Sequence, residues 1–131
     1  MGAPAAKKGD AVVGVDFHIV VMPSPAPPAP LPHPFSGVLD GGLSSDVTIM
    51  GQPAATVDST ADNSPPHIPT PPGTSFTRPP ANKGTVAMGS TTVTVNGKAL
   101  ARAGDTVKTC NDPADLPVGT IMASGTVLVG G

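Results

Sequence analysis

Eleven residues from Gly97 to Val107, GKALARAGDTV, follow the template G-x-x-x-A-x-x-G-D-x-V, and GAPAAKKGDAV from Gly2 follows it at every specified position. A third copy, GQPAATVDSTA from Gly51, keeps the leading glycine and the alanine at the fifth position but carries Asp58 and Ser59 where the others have Gly-Asp. Such internal repeats expose the organisation of a chain this rich in Gly and Pro. GLSSDVTIM precedes Gly51 and GSTTVTVN precedes Gly97, each a glycine, a small polar patch and then alternating β-branched residues, which is the chemistry of a strand. Asn96-Gly97 tolerates positive φ at both positions and predicts a two-residue hairpin turn, and Gly104-Asp105 marks another turn. Each copy therefore reads as a small β-hairpin unit. GTVAMG (84–89) and GTVLVG (125–130) are further short apolar runs framed by glycine, and no segment carries a helical period.

The run AVVGVDFHIVVM from Ala11 follows Lys7 and Lys8 like the apolar stretch of a signal peptide, but Asp16 and His18 interrupt it and no small-residue cleavage site follows. It is expected to be a strand. Three proline-rich or polar segments, MPSPAPPAPLPHP from Met22, NSPPHIPTPPGTSFTRPP from Asn63 and NDPADLP from Asn111, are expected to be loops between strands, since proline lacks the ladder donor and cannot sit in a central strand. With no Trp or Tyr and three Phe, the core must come from Val, Ile, Leu, Met and Ala, and a small domain of that kind benefits from a staple. A single cysteine cannot supply it as an intramolecular disulfide and fits cytoplasmic synthesis. The length of 131 residues suits one domain. A formal net charge of −2 lacks the basic footprint that nucleic acid requires, and no run is long enough to span a membrane.

The complete His and Cys inventory is His18, His33, His67 and Cys110. His18 lies eight positions after Asp10, His67 eight after Ser59, and Cys110 five after Asp105, so each copy delivers one candidate ligand. If the copies pack about an approximate threefold axis, these residues meet on it, and His33 can complete a shell. Three imidazoles and a thiolate suit a tetrahedral, structural Zn²⁺ site with no open position. Against this stands the ordinary reading of a solvated loop histidine and a buried small thiol. No paired-ligand motif such as C-x-x-C or H-E-x-x-H is present.

With GAPAAKKGD, GQPAATVDS, GKALARAGD and the closing pattern TCNDPADLPVGTIMASGTVLVGG, the chain resembles the PAAR-repeat proteins, which tip the spike of type VI secretion systems and related contractile injection machines. No copy is a literal P-A-A-R: Lys7 and Thr56 stand at the arginine position of two, and the third reads Ala99-Leu100-Ala101-Arg102. The resemblance implies an all-β, small conical, β-prism-like domain with pseudo-threefold repeats, covering 1–131 with no toxin extension. It implies one structural zinc per chain on His18, His33, His67 and Cys110, with no catalytic residue. The implied partner is a trimeric spike of the VgrG or phage-tail type, one chain per trimer, with Val47–Met50 and Val93–Val95 as candidate base strands. A separate effector and passing contact with a target membrane complete the picture, the protein being cytoplasmic until assembled and then ejected. Two other readings remain: a small zinc-dependent hydrolase or Cys-His enzyme, for which no G-x-S-x-G or phosphate loop is present, and a free-standing surface-binding β domain, which would lack the usual aromatic platform.

Overall fold

The computed structural model describes residues 2–130; Met1 and Gly131, the outermost residues of the expected domain 1–131, lie outside them. The described residues form thirteen strands and no helix: β1 (Ala3–Pro4), β2 (Ala11–Val21), β3 (Ala29–Gly41), β4 (Thr48–Ile49), β5 (Gln52–Pro53), β6 (Thr60–Asn63), β7 (Ser75–Phe76), β8 (Lys83–Val86), β9 (Thr94–Val95), β10 (Lys98–Ala99), β11 (Thr106–Thr109), β12 (Leu116–Met122) and β13 (Leu128–Val129). The chain is all-β, as the sequence implies. Strands β12, β11, β8, β6, β3 and β2 pair in that order, and β12 pairs back onto β2 to close a six-stranded barrel, with β7 added outside β2.

The repeats generate a pseudo-threefold end. Turns with positive φ at Met50-Gly51 (50°, 84°) and Asn96-Gly97 (54°, 80°) make the hairpins β4–β5 and β9–β10, as the Asn-Gly signal predicts. The third ladder is made by the two ends of the chain, β1 against β13, with Ala3 opposite Val129. Between hairpins, bridges run Ala5 to Arg102, Lys7 to Ala54 and Thr56 to Leu100, always the fourth residue of one copy to the sixth of another. On the axis, the fifth residues form a cycle of amide-to-carbonyl bonds: Ala6 N to Ala101 O at 2.9 Å, Ala101 N to Ala55 O at 2.9 Å and Ala55 N to Ala6 O at 3.0 Å.

Above this ring the barrel interior is layered. Leu39, Val86 and Ile121 accept from the turn amides of Gly9, Asp58 and Gly104, and with Val12, Ala61, Val107 and Phe35 they form the main apolar core. A smaller cluster of Ala5, Ile49, Ala54, Val95, Leu100 and Val129 lies under the hairpins. Further along the axis glycine replaces bulk: a Cβ on Gly84 would lie 2.8 Å from Val107 Cγ1, and one on Gly119 would lie 2.8 Å from Thr109 Cγ2. There β6 ends at Asn63 and β11 at Thr109, while β2 and β3 continue to Val21 and back from Ala29, flanked by β7. Six strands at one end thus give way to three at the other, which gives the domain its conical form.

The proline-rich segments are not all loops. Ala29–Pro34 of the first is the leading half of β3, paired with β2 from Ala29 opposite Val20 to Pro34 opposite Val15. Pro30, Pro32 and Pro34 occupy alternate, exposed positions, and alternate residues of an antiparallel strand turn their backbone polar groups away from a given neighbour. Pro32 O accordingly faces outward and accepts from Thr70 Oγ1 at 2.9 Å. β6 pairs with β3 only from Gly37, so these prolines occupy an edge and no ladder donor is missing. Ser75–Phe76 and Leu116-Pro117 are likewise strand residues within segments expected to be loops.

Candidate metal centre

Period-two alternation in β2 turns Asp16 and His18 to the interior, and the same alternation in β3 turns in His33 and Phe35. His67 comes from the loop after β6 and Cys110 directly follows β11. The structure brings all three imidazoles together in a near-equilateral triangle, with ring centroids 5.5 Å apart for His18–His33, 5.1 Å for His18–His67 and 5.5 Å for His33–His67. Cys110 Sγ lies 3.6 Å from His18 Nε2. Phe76 packs on His18 and His33 at 5.7 and 5.2 Å, and Phe35 lies beneath His67 at 6.3 Å. His18, His33 and Cys110 are buried, as is the side chain of His67.

Sequence reasoning missed Asp16. It is fully buried, and its Oδ2 accepts from His67 Nε2 at 2.8 Å and from the Cys110 thiol at 3.5 Å. Its Oδ1 accepts from Thr109 Oγ1 and from Asn111 Nδ2 at 3.3 Å. The signal was present in the D-x-H spacing, which on a strand places both side chains on one face. Donor atoms of Asp16, His18, His67 and Cys110 all lie within 4.8 Å of one another. Tetrahedral zinc with ordinary bond lengths separates its donors by about 3.3–3.8 Å, so this buried N, S and O cluster can hold a metal ion with small side-chain adjustments. His33 is at the same centre but already engaged: Nδ1 contacts Leu31 O at 2.8 Å and Nε2 accepts from Thr70 N at 3.2 Å.

Electrostatics mark the cluster as a place for a cation. Burial, with the neighbouring His67, lowers the pKa of His18 from its ordinary 6.5; burial also lowers that of His33, so the neutral, metal-binding forms are favoured. The Cys110 thiol is pushed up to about 11 by burial and by the Asp16 carboxylate, so without a cation it stays protonated at neutral pH. A protonated thiol is a poor nucleophile. At the edge, Asp112 Oδ2 accepts from Ile19 N at 2.9 Å and lies 3.6 Å from His18 Nδ1, while its Oδ1 accepts from Arg78 at 2.7 Å. Burial opposes ionisation of Asp112, and the bond from Ile19, the nearby His18 imidazole and the Arg78 guanidinium together outweigh it, lowering its pKa.

Residues 78–131 fit the family model of the PAAR motif, a range that includes the third repeat, Cys110 and the closing strand β13, and leaves His18, His33 and His67 outside it. No curated protein matched the chain.

Proposed function

We propose that the chain, whose residues 78–131 fit the PAAR motif, is a PAAR-repeat protein of the type VI secretion kind, a spike-tip-type protein of contractile injection systems, and that it caps a trimeric spike of the VgrG type, one chain per trimer, and sharpens it for membrane puncture. The observation that carries this reading is the cyclic arrangement of the three repeat ladders, joined by the alanine ring. A trimeric β-structure ends in three equivalent sets of strand edges, which invite unwanted pairing unless covered. Three equivalent ladders on one chain offer a matching threefold cover. Around them the apolar side chains of Met50, Val93, Val127 and Leu128 are exposed, so the base extends from the expected Val47–Met50 and Val93–Val95 to β13.

At the narrow end we propose that His18, His33, His67 and Cys110 hold one structural Zn²⁺ per chain, which ties β2, β3, the loop after β6 and the end of β11 together. His33 takes part by exchanging its contact with the Thr70 amide. The PAAR family is structural, and this reading requires no catalytic residue. We place the protein in the cytoplasm until it joins the spike, with ejection afterwards.

Mixing the purified protein with a purified spike trimer and measuring mass by light scattering tests the proposal. One chain per trimer is expected, and a Val93→Glu/Leu128→Glu double variant should lose the complex. Three chains per trimer, or undiminished binding by the variant, would refute the capping geometry.

A further inference from the structure

Asp16 is a carboxylate with no exposed surface, and among the described residues its only ion-pair partner is His67. No lysine or arginine compensates it. Its other partners are the hydroxyl of Thr109, the amide of Asn111 and the thiol of Cys110, which can solvate a charge but cannot cancel it. A buried carboxylate with no fixed cation beside it costs several kcal/mol even after relaxation. The fold nevertheless spends two donors of the metal cluster, His67 Nε2 and Cys110 Sγ, on this one oxygen.

Resting on the metal reading above, we propose that Asp16 is the second negative charge of the centre, a positioning residue whose Oδ2 gathers protonated His67 Nε2 and Cys110 Sγ before loading and, when a dication displaces those two protons to solvent, stays beside it as a counter-charge that makes the site selective for a divalent cation. A dication, the Cys110 thiolate and the Asp16 carboxylate sum to zero, so the loaded centre is neutral among buried side chains. Three imidazoles and a thiolate alone would leave the buried centre with one positive charge. Thr109 and Asn111 fix the far oxygen, which leaves Oδ2 facing the donors.

The test compares the parent with Asp16→Asn, which keeps the shape of the side chain and removes its charge, using Zn²⁺ competition against a chelator, Co²⁺ absorption and thermal melts with and without metal. Loss of the supporting carboxylate should weaken Zn²⁺ about 10–100-fold. The Co²⁺–thiolate charge-transfer band should persist, because Cys110 still binds. The melts should cross: the variant melts below the parent when both hold metal, and at or above it when both are stripped, because a buried charge has been removed. A structural role alone would lower both melts, and a variant that does not fold even when stripped, or binds Zn²⁺ as tightly as the parent, overturns the proposal. A parent that takes up no metal refutes the metal reading itself, a result distinct from equal affinity in two metal-loaded proteins.

Discussion

Replacing Ala101 with valine adds two methyl groups at the pseudo-threefold axis, where Ala6, Ala55 and Ala101 have no exposed surface and their backbones are linked in a cycle at 2.9–3.0 Å. The side chain cannot move outward, because the neighbouring residues Leu100 and Arg102 are bridged to Thr56 and Ala5. Inserting methyl groups into such a point costs about 1–3 kcal/mol. For a chain of 131 residues the unfolding entropy is about 0.28 kcal/mol/K, so the melting temperature should fall by about 4–11 °C. The repeat makes the claim stronger than a single-site estimate, since Ala6→Val and Ala55→Val should fall within the same range. Ala26→Val, in the exposed turn between β2 and β3, serves as a control expected to stay within about 0.5 kcal/mol. Thermal denaturation followed by far-ultraviolet circular dichroism reads all four. A result in which any axial variant melts within a degree of the parent would refute the argument that this ring is closed and equivalent.

Cys110→Ala should lower metal content from about one ion per chain and reduce the melting temperature markedly, by elemental analysis and calorimetry; a metal-free parent melting as high as the loaded one would contradict a structural ion. In chelator-treated protein, His18 and His33 have pKa values below the ordinary 6.5, so the unfolded chain takes up protons first as pH falls. The stability they contribute is present above pH 6.5 and is lost progressively below it. A melting temperature that rises on acidification from pH 7 to 5 would reverse that sign.

The repeats and their hairpins were legible because their signals are local: Asn96-Gly97 reports its own turn, and Gly104-Asp105 its own bend. The ladder of β1 with β13 joins Ala3 to Val129, and nothing in GTVLVG says that its partner is the start of the chain. The β3 prolines escape the rule that proline breaks a strand because they stand at alternate positions, where they remove only donors that point away from β2. The His and Cys inventory was visible by counting, whereas Asp16 was hidden among nine acidic residues. Only its strand face, two residues before His18, distinguishes it. The middle copy, degenerate by template, is conserved in chemistry. Ser59 Oγ accepts from Thr56 N at 2.9 Å, as Asp10 accepts from Lys7 N at 2.9 Å and Asp105 from Arg102 N at 2.7 Å.

That coupled change shows what the repeat keeps and what it releases. Lys7 pairs with Asp10 and Arg102 with Asp105 across three residues; where the cation becomes Thr56 the carboxylate becomes Ser59, so the turn bond survives and no unpaired buried charge appears. Symmetry is held where backbone geometry demands it, at the ladders and the alanine ring. Toward the narrow end it lapses, since β2 runs for eleven residues whereas its counterparts β6 and β11 run for four. A homotrimer could not do this. It would place three copies of every inward residue around the axis, three carboxylates for one Asp16 and three thiols for one Cys110. Fusing the three units into one chain lets the base keep threefold order while the tip gathers an unequal set, three imidazoles, one thiol and one carboxylate, whose charge suits a single dication.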